Sequence, residues 1–265
     1  MSGKKCAHLL AATTIALAMS IGVVLTSFAG AQAPVVVGGQ SPAFSFSPSI
    51  SPHFLSKTKP SGVKLGLLSR FFPPDQSHFY PLALSQEKLL LDRHLELFTR
   101  GLPACAPRLQ AYPSVPIPRR CKAALVGEGK AEVRIVYPEN APLPLDLKVH
   151  LYNGGTTNGV TKLWLYFPIT VPVPSSILAP IEIRKVDQGS FGTEALIAMP
   201  KIAGGSGFFT QLWLNINREY EFLGRRRSVA TFRCANGKFQ YSAEATFLDG
   251  TQATVPPTIR TCGVG

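Results

Sequence analysis

Hydrophobic and polar residues alternate with a period of two in run after run along the chain from Gly62 onward. Leu145, Leu147, Val149 and Leu151 alternate with Asp146, Lys148, His150 and Tyr152, which predicts a strand with one face in a core and the other in water. Ala131, Val133, Ile135 and Tyr137 alternate with Glu132 and Arg134 in the same way. Phe239, Tyr241, Ala243, Ala245 and Phe247 alternate with Gln240, Ser242, Glu244 and Thr246. Thr210, Leu212, Leu214 and Ile216 form an inward set against Phe209, Gln211, Trp213 and Asn215. Leu163 to Phe167 is apolar throughout, which predicts a strand covered on both faces. Ser85 to Thr99 (SQEKLLLDRHLELFT) fits two templates. One is a helix with Leu91, Leu95 and Phe98 on a common face. The other, preferred, is a strand with Leu91, Leu95 and Leu97 inward and Asp92, His94 and Glu96 outward.

Turn chemistry agrees with strands. Asn236-Gly237 and Asp249-Gly250 tolerate positive φ and suit tight hairpins. They predict a C-terminal meander of Ser228–Cys234, Phe239–Leu248 and Thr251–Cys262. The outer strands of a meander lie roughly 9.5 Å apart. A Cys234–Cys262 disulfide therefore requires the tail to bend across the sheet end, for which Pro256-Pro257 offers a break. The fold expected is all-β, an antiparallel β-sandwich-like domain with hairpins, stapled by two disulfides.

The N-terminal part does not alternate. Lys4 and Lys5 precede an uncharged apolar run from about Leu9 to Phe28, and Ala31-Gln32-Ala33 closes it. This reads as an export signal over residues 1–33, with an uncleaved membrane anchor as the competing reading. Cys6 lies in the charged start, and no cysteine follows the run to carry a lipid. Residues 34–60 are rich in Pro, Ser and Gly and read as a disordered lead-in. The competing reading is an irregular strand contacting the fold through Phe44, Phe46 and Phe54. Residues 61–265 are expected to form one β domain.

Composition narrows the setting. The formal net charge is +12, and loss of Lys4 and Lys5 leaves about +10. A basic exported protein is drawn to polyanions by Coulomb attraction. Outside a cell these are anionic wall polymers and acidic polysaccharides, whereas export separates the chain from nucleic acid. Membrane contact is expected only if the signal is retained. Cys105, Cys121, Cys234 and Cys262 remain after the signal, an even count that suits disulfides. Three connectivities are open, and the two-by-two clustering favours Cys105–Cys121 and Cys234–Cys262. The first loop would contribute roughly 3 kcal/mol in the chain-entropy model. No C-x2-C pair with nearby histidines suggests a metal, and no cofactor is expected.

Catalytic signals are weak. His53, His78, His94 and His150 fall in the lead, a loop or the polar phase of strands, and no G-x-S-x-G occurs. Ala203-Gly204-Gly205-Ser206-Gly207 lacks the lysine of a phosphate loop and reads as a turn. Asn153 to Gly159 reads as a flexible connection. Asp187, Glu194, Glu219, Glu221, Glu244 and Asp249 show no pairing that would mark a glycosidase. Arg225-Arg226-Arg227, with Arg218 and Arg233 close by, is the candidate anion-binding edge. The plainer alternative is a solvated hairpin tip whose charge discourages edge pairing. Trp164 and Trp213 are expected in the core, with an aromatic sugar platform as the sharper alternative.

Gly101-Leu102-Pro103-Ala104-Cys105 and Cys121-Lys122-Ala123-Ala124-Leu125-Val126-Gly127-Glu128-Gly129 resemble a group of uncharacterised exported bacterial all-β proteins sharing a GLPxC…CxxALVGxG core. Leu55 to Pro60, Leu151-Tyr152-Asn153-Gly154, Phe191-Gly192-Thr193, Lys201 to Gly205 and Gly224 to Ser228 extend the likeness across most of residues 55–262. The resemblance implies one continuous unit and carries no activity or site residue with it. The function expected is a non-enzymatic extracellular or cell-envelope protein that meets anionic wall polymer through its basic surface. A secreted polysaccharide hydrolase is the alternative.

Overall fold

The computed structural model describes residues 36–37, 44–76, 79–105, 119–138, 140–170 and 174–264. Residues 1–33, where the sequence leads one to expect an export signal, with Cys6, His78 and most of residues 34–43, lie outside the described residues. In chain order the first strands are β1 (Val36–Val37), β2 (Phe44–Ser51), β3 (Phe54–Leu55), β4 (Ser61–Gly62) and β5 (Lys64–Phe71). Next come β6 (Leu84–Asp92), β7 (Leu95–Leu97), the short helix α1 (Arg119–Ala123), β8 (Leu125–Ile135) and β9 (Leu143–Thr157). β10 (Val160–Ile169), β11 (Ser175–Gln188) and β12 (Phe191–Ala198) follow. A 3-10 turn (Ile202–Gly205) leads into β13 (Gly207–Ile216), β14 (Glu219–Phe222), β15 (Arg225–Ser228) and β16 (Ala230–Phe232). The chain ends with β17 (Lys238–Phe247), β18 (Gln252–Thr261) and β19 (Gly263–Val264).

Twelve strands form one antiparallel sheet in the order β1-β2-β5-β13-β8-β9-β10-β11-β12-β6-β17-β18. The sheet curls until β17 and β18 pack against β2. The ring of Phe46 lies 5.8 Å from that of Tyr241, and Phe71 lies 6.4 Å from Phe247. The inward phases of β2, β5, β6, β8–β13, β17 and β18 make one core. Phe44, Phe46, Phe167, Phe209, Phe232, Tyr241 and Phe247 are among its largest fully buried side chains. Three smaller pairings cap the sheet: β4-β16-β7, the hairpin β14–β15, and parallel β3–β19. The sandwich-like all-β expectation therefore holds, built from a continuous sheet folded over itself.

The alternation places Leu145, Leu147, Val149 and Leu151 in the core, and Phe239 through Phe247 likewise. Ser85–Thr99 holds two strands, β6 and β7, joined by a turn at Arg93-His94, and no helix. Leu163, Leu165 and Phe167 face the core, while Trp164 and Tyr166 pack on the other face with Cys105, Cys121, Ala124 and Tyr152, the outward placement expected for Tyr152 being corrected by its burial there. The expected pairings Cys105–Cys121 and Cys234–Cys262 are present, with Cα atoms 5.2 Å and 6.0 Å apart.

Several expectations are corrected. Residues 44–51 are not a disordered lead but strand β2, because Phe44 and Phe46 are fully buried and outweigh the prolines. Phe54, in contrast, is 75% exposed. The C-terminal meander does not form. β16 joins β4 and β7, and β6 takes its place beside β17. The spacing objection to Cys234–Cys262 disappears with it. Thr210 and Phe209 exchange faces because a bulge between Phe209 and Gln211 shifts the register against β8. Tyr137 lies beyond the end of β8 and is 42% exposed. Asp92 is buried, its carboxylate accepting from the backbone N–H groups of His94 and Gln240 at 2.9 and 3.0 Å. Asn153 to Thr157 is strand, so the connection shrinks to Asn158-Gly159 at φ 52° and 78°.

Candidate functional site

A cavity of about 570 Å³ opens where the loop after β7 meets the β9–β10 hairpin and the edge of β11–β12. The loop Thr99–Cys105 forms one wall, and its course is set by Asn153. That side chain is almost completely buried. Its amide donates to the carbonyls of Leu102 and Pro103 at 3.3 and 3.1 Å, and its Oδ1 accepts from the Gly155 N–H at 3.1 Å. The backbone N–H of Cys105 donates to the Asn153 carbonyl at 2.7 Å. Gly101 turns the loop at φ 93°, where any Cβ would strike the Phe222 ring. The Tyr220 hydroxyl donates to the Arg100 carbonyl at 2.8 Å and reaches that of Phe98 at 3.3 Å. Burial raises the Tyr220 pKa, against the pull of Arg227.

Opposite this loop, register pairs Arg184 with Glu194 and Lys185 with Thr193. Arg184 Nε donates to Glu194 Oε1 at 2.7 Å, Lys185 Nζ lies 3.9 Å from Glu96 Oε1, and Thr193 Oγ1 donates to the Leu95 carbonyl at 3.0 Å. Arg100 also lines the cavity, and its guanidinium makes no ion pair among the described residues. A second hollow of about 350 Å³ shares Glu96, Lys185 and Thr193 with the first. It adds Arg93, held to Asp187 at 2.8 Å, and Arg233, whose Nη1 donates to the Lys57 carbonyl at 3.4 Å. Together the hollows form one groove whose cations (Arg93, Arg100, Arg184, Lys185, Arg233) outnumber its acids (Glu96, Asp187, Glu194). Hydroxyls of Thr156, Thr161 and Thr193 complete the lining.

The arginines singled out from sequence do not form one patch. Arg225, Arg226 and Arg227 lie exposed on β15, at the hairpin turned by Leu223-Gly224. Arg226 is tied to Glu219, with Nε donating at 2.8 Å. Arg218 is exposed at the base of that hairpin, where its carbonyl accepts from the Val229 N–H. Arg233 alone reaches the groove. Of the histidines, His94 lines the groove and bonds Asp92 through Nδ1 at 2.9 Å, His150 faces Glu128 at 3.5 Å, and His53 is exposed.

Sequence reasoning passed over Asn153, Arg100, Arg184 and Lys185, which are far apart in the chain. Asn153 sits in a Leu-Tyr-Asn-Gly stretch that marks the resemblance, which was the one available signal.

Two buried groups complete the electrostatics. Glu87 projects from β6 into the core, fully buried, and Ser69 Oγ on β5 donates to its Oε1 at 2.5 Å. Burial pushes the Glu87 carboxyl up to about 7, against the lowering effect of the Ser69 bond. Burial also pushes the Tyr152 phenol up to about 12, with Tyr166 and Glu128 adding to the rise. Among the described residues no three His, Cys, Asp or Glu side chains gather as a metal site, and no helix is long and apolar enough to cross a membrane. Comparison with protein families, curated proteins and solved structures finds no match.

Proposed function

We propose that this chain is an exported, non-enzymatic binding domain of the cell envelope or extracellular space that holds an anionic polymer in the groove between the Thr99–Cys105 loop and β11–β12. The observation that carries this reading is the excess of guanidinium and ammonium groups along that groove, with Arg100 unpaired among the described residues. Two disulfides suit an oxidising compartment. A polymer with one charge per repeat gains from each cation it neutralises, and the gain is screened within about 8–10 Å at physiological salt. The hydrolase alternative lacks support of this kind. The Glu87 carboxyl, which burial raises toward the range of a general acid, is sealed in the core beyond a substrate's reach.

The test is binding of the intact, oxidised protein to polyglycerol phosphate and to wall extract, measured by sedimentation at low and high salt. Binding should weaken at least tenfold between about 0.05 and 0.5 M salt, a range that shortens the screening length roughly threefold. The R100Q/K185Q/R233Q variant should bind several-fold more weakly than the wild type. Salt-independent binding, or an unaffected triple variant, would falsify the proposal.

A further inference from the structure

We infer that the outer face of β13, β8 and β9 around Trp213 is a separate binding site for an anionic sugar unit. Trp213 points away from the core, between Leu68 of β5 and Lys130 of β8, its register partners. It is half-buried and borders a shallow hollow of about 320 Å³ with Glu128, Lys130, Lys148, His150 and Asn215. Lys130 stands directly opposite Lys148 across the β8–β9 pair. Like charges in that position repel and destabilise a sheet. Among the described residues no ion pair joins either lysine to Glu128, Glu132 or Asp146, the acids nearest on the same face. Glu128 turns to His150 at 3.5 Å, and Glu132 accepts from Thr210 and Gln211 at 3.4 and 3.5 Å. A cross-strand lysine pair beside an indole is the arrangement expected where an anion supplies the missing charge.

Asn215 gives an independent pointer. It borders the same hollow, is only 8% exposed, and its Oδ1 has no hydrogen-bond partner. An orphaned buried acceptor destabilises the fold that holds it, and a ligand hydroxyl can remove that cost. Gly127 and Gly129 hold the platform rigid beneath. A Cβ at either would lie within 2.2 Å of a β13 carbonyl oxygen, so only glycine permits this close strand approach. An aromatic face, amide and imidazole groups and two cations together match a pyranose ring bearing a carboxylate or phosphate. The site does not depend on the groove described above.

Calorimetric titration of the intact protein tests this with hexagalacturonate, maltohexaose, polyglycerol phosphate and a single-stranded oligonucleotide as probes. Hexagalacturonate should bind at least tenfold more tightly than each of the other three. W213A and K130Q/K148Q should each lower its affinity at least tenfold, W213F should keep it within about threefold, and R100Q/K185Q/R233Q should leave it unchanged. K130Q/K148Q should also melt no lower than wild type, because it removes a repulsion, so its loss of binding cannot be assigned to unfolding. Equal binding of maltohexaose would show that charge is not read. Equal binding of polyglycerol phosphate or the oligonucleotide by the R100Q/K185Q/R233Q variant, in which the groove no longer contributes, would show that the sugar ring is not. Either result, no binding of hexagalacturonate, or full binding by W213A would overturn the inference.

Discussion

Replacing Glu87 with glutamine should change how stability depends on pH, without changing the fold. The carboxyl is fully buried, and its bond from Ser69 crosses the core between two strands that are not sheet neighbours. Its folded pKa is raised from 4.5 to about 7. The native state therefore keeps a proton that the unfolded chain has already released. The stabilising contribution is complete below pH 4.5 and is lost as pH rises toward 7. Each pH interval of one between the two values is worth somewhat over 1 kcal/mol, so the full loss is about 3 kcal/mol, most of which falls between about pH 5 and pH 8. The glutamine amide would stay neutral throughout and keep an oxygen for Ser69 to donate to. Its N–H groups take the place of Oε2, which has no hydrogen-bond partner, at a penalty of about 1–3 kcal/mol that does not vary with pH. The assay is urea unfolding with disulfides intact at about pH 5 and pH 8, followed by tryptophan emission. E87Q should be the less stable protein at the lower pH and should recover about 2–3 kcal/mol against wild type at the higher. Stability profiles that run parallel, within about 0.5 kcal/mol across that range, would show that Glu87 does not titrate in the core as argued.

Two further outcomes test the reading of the fold. Phe46→Ala should destabilise by about 3–5 kcal/mol in the same unfolding assay, because β2 is a core strand; a change under about 1 kcal/mol would return residues 44–51 to the status of a lead. Leu223→Asn should stabilise by about 1 kcal/mol, seen as a rise in melting temperature, because Leu223 sits at φ 53° with its side chain 84% exposed and Asn tolerates that conformation better.

The limits of what the sequence revealed follow from what a period-two pattern can carry. It identifies the inward face of a strand, so Leu145 to Leu151 and Phe239 to Phe247 were legible residue by residue. It does not say which strands are neighbours. The turn at Asn236-Gly237 suggested that β16 and β17 pair, yet a turn can also carry the chain from one sheet to another, as it does here. A bulge is equally silent, since an extra residue near Thr210 leaves no signature of its own in the alternation. Proline density in residues 41–52 obscured β2, although two phenylalanines two apart were an apolar phase in plain view. The groove was illegible for a different reason. Arg100, Asn153, Arg184 and Arg233 are distant in sequence, and only the order of strands brings them together, whereas the arginine run drew attention because its charges are adjacent.

The same alternation bears on where the folded sheet can reside. The outward phases of β8 and β9 carry Glu128, Lys130, Glu132, Arg134, Asp146 and Lys148, while their inward phases carry Ala131, Val133, Leu145, Leu147 and Val149. In a membrane barrel the order is reversed, and a single lysine or arginine facing lipid at mid-depth costs about 2–4 kcal/mol. This wall of the sheet therefore faces water and keeps its apolar side for the core. That arrangement leaves the outer surface free to be specified by something other than folding. Some of its charges resolve into pairs such as Lys88–Glu244 and Lys162–Glu182. Lys130 and Lys148 do not, and they meet at the point where β13 presents Trp213 and β9 begins its run toward Asn153. From Lys148 to Gly155 that strand advances about 24 Å at roughly 3.4 Å per residue. The aromatic platform and the cationic groove thus lie at two positions along one strand, a spacing that a single extended polymer can bridge. If one chain engages both, the second contact is made at the raised effective concentration set by the first. Removing either site alone should then weaken long polymer far more than short oligomer.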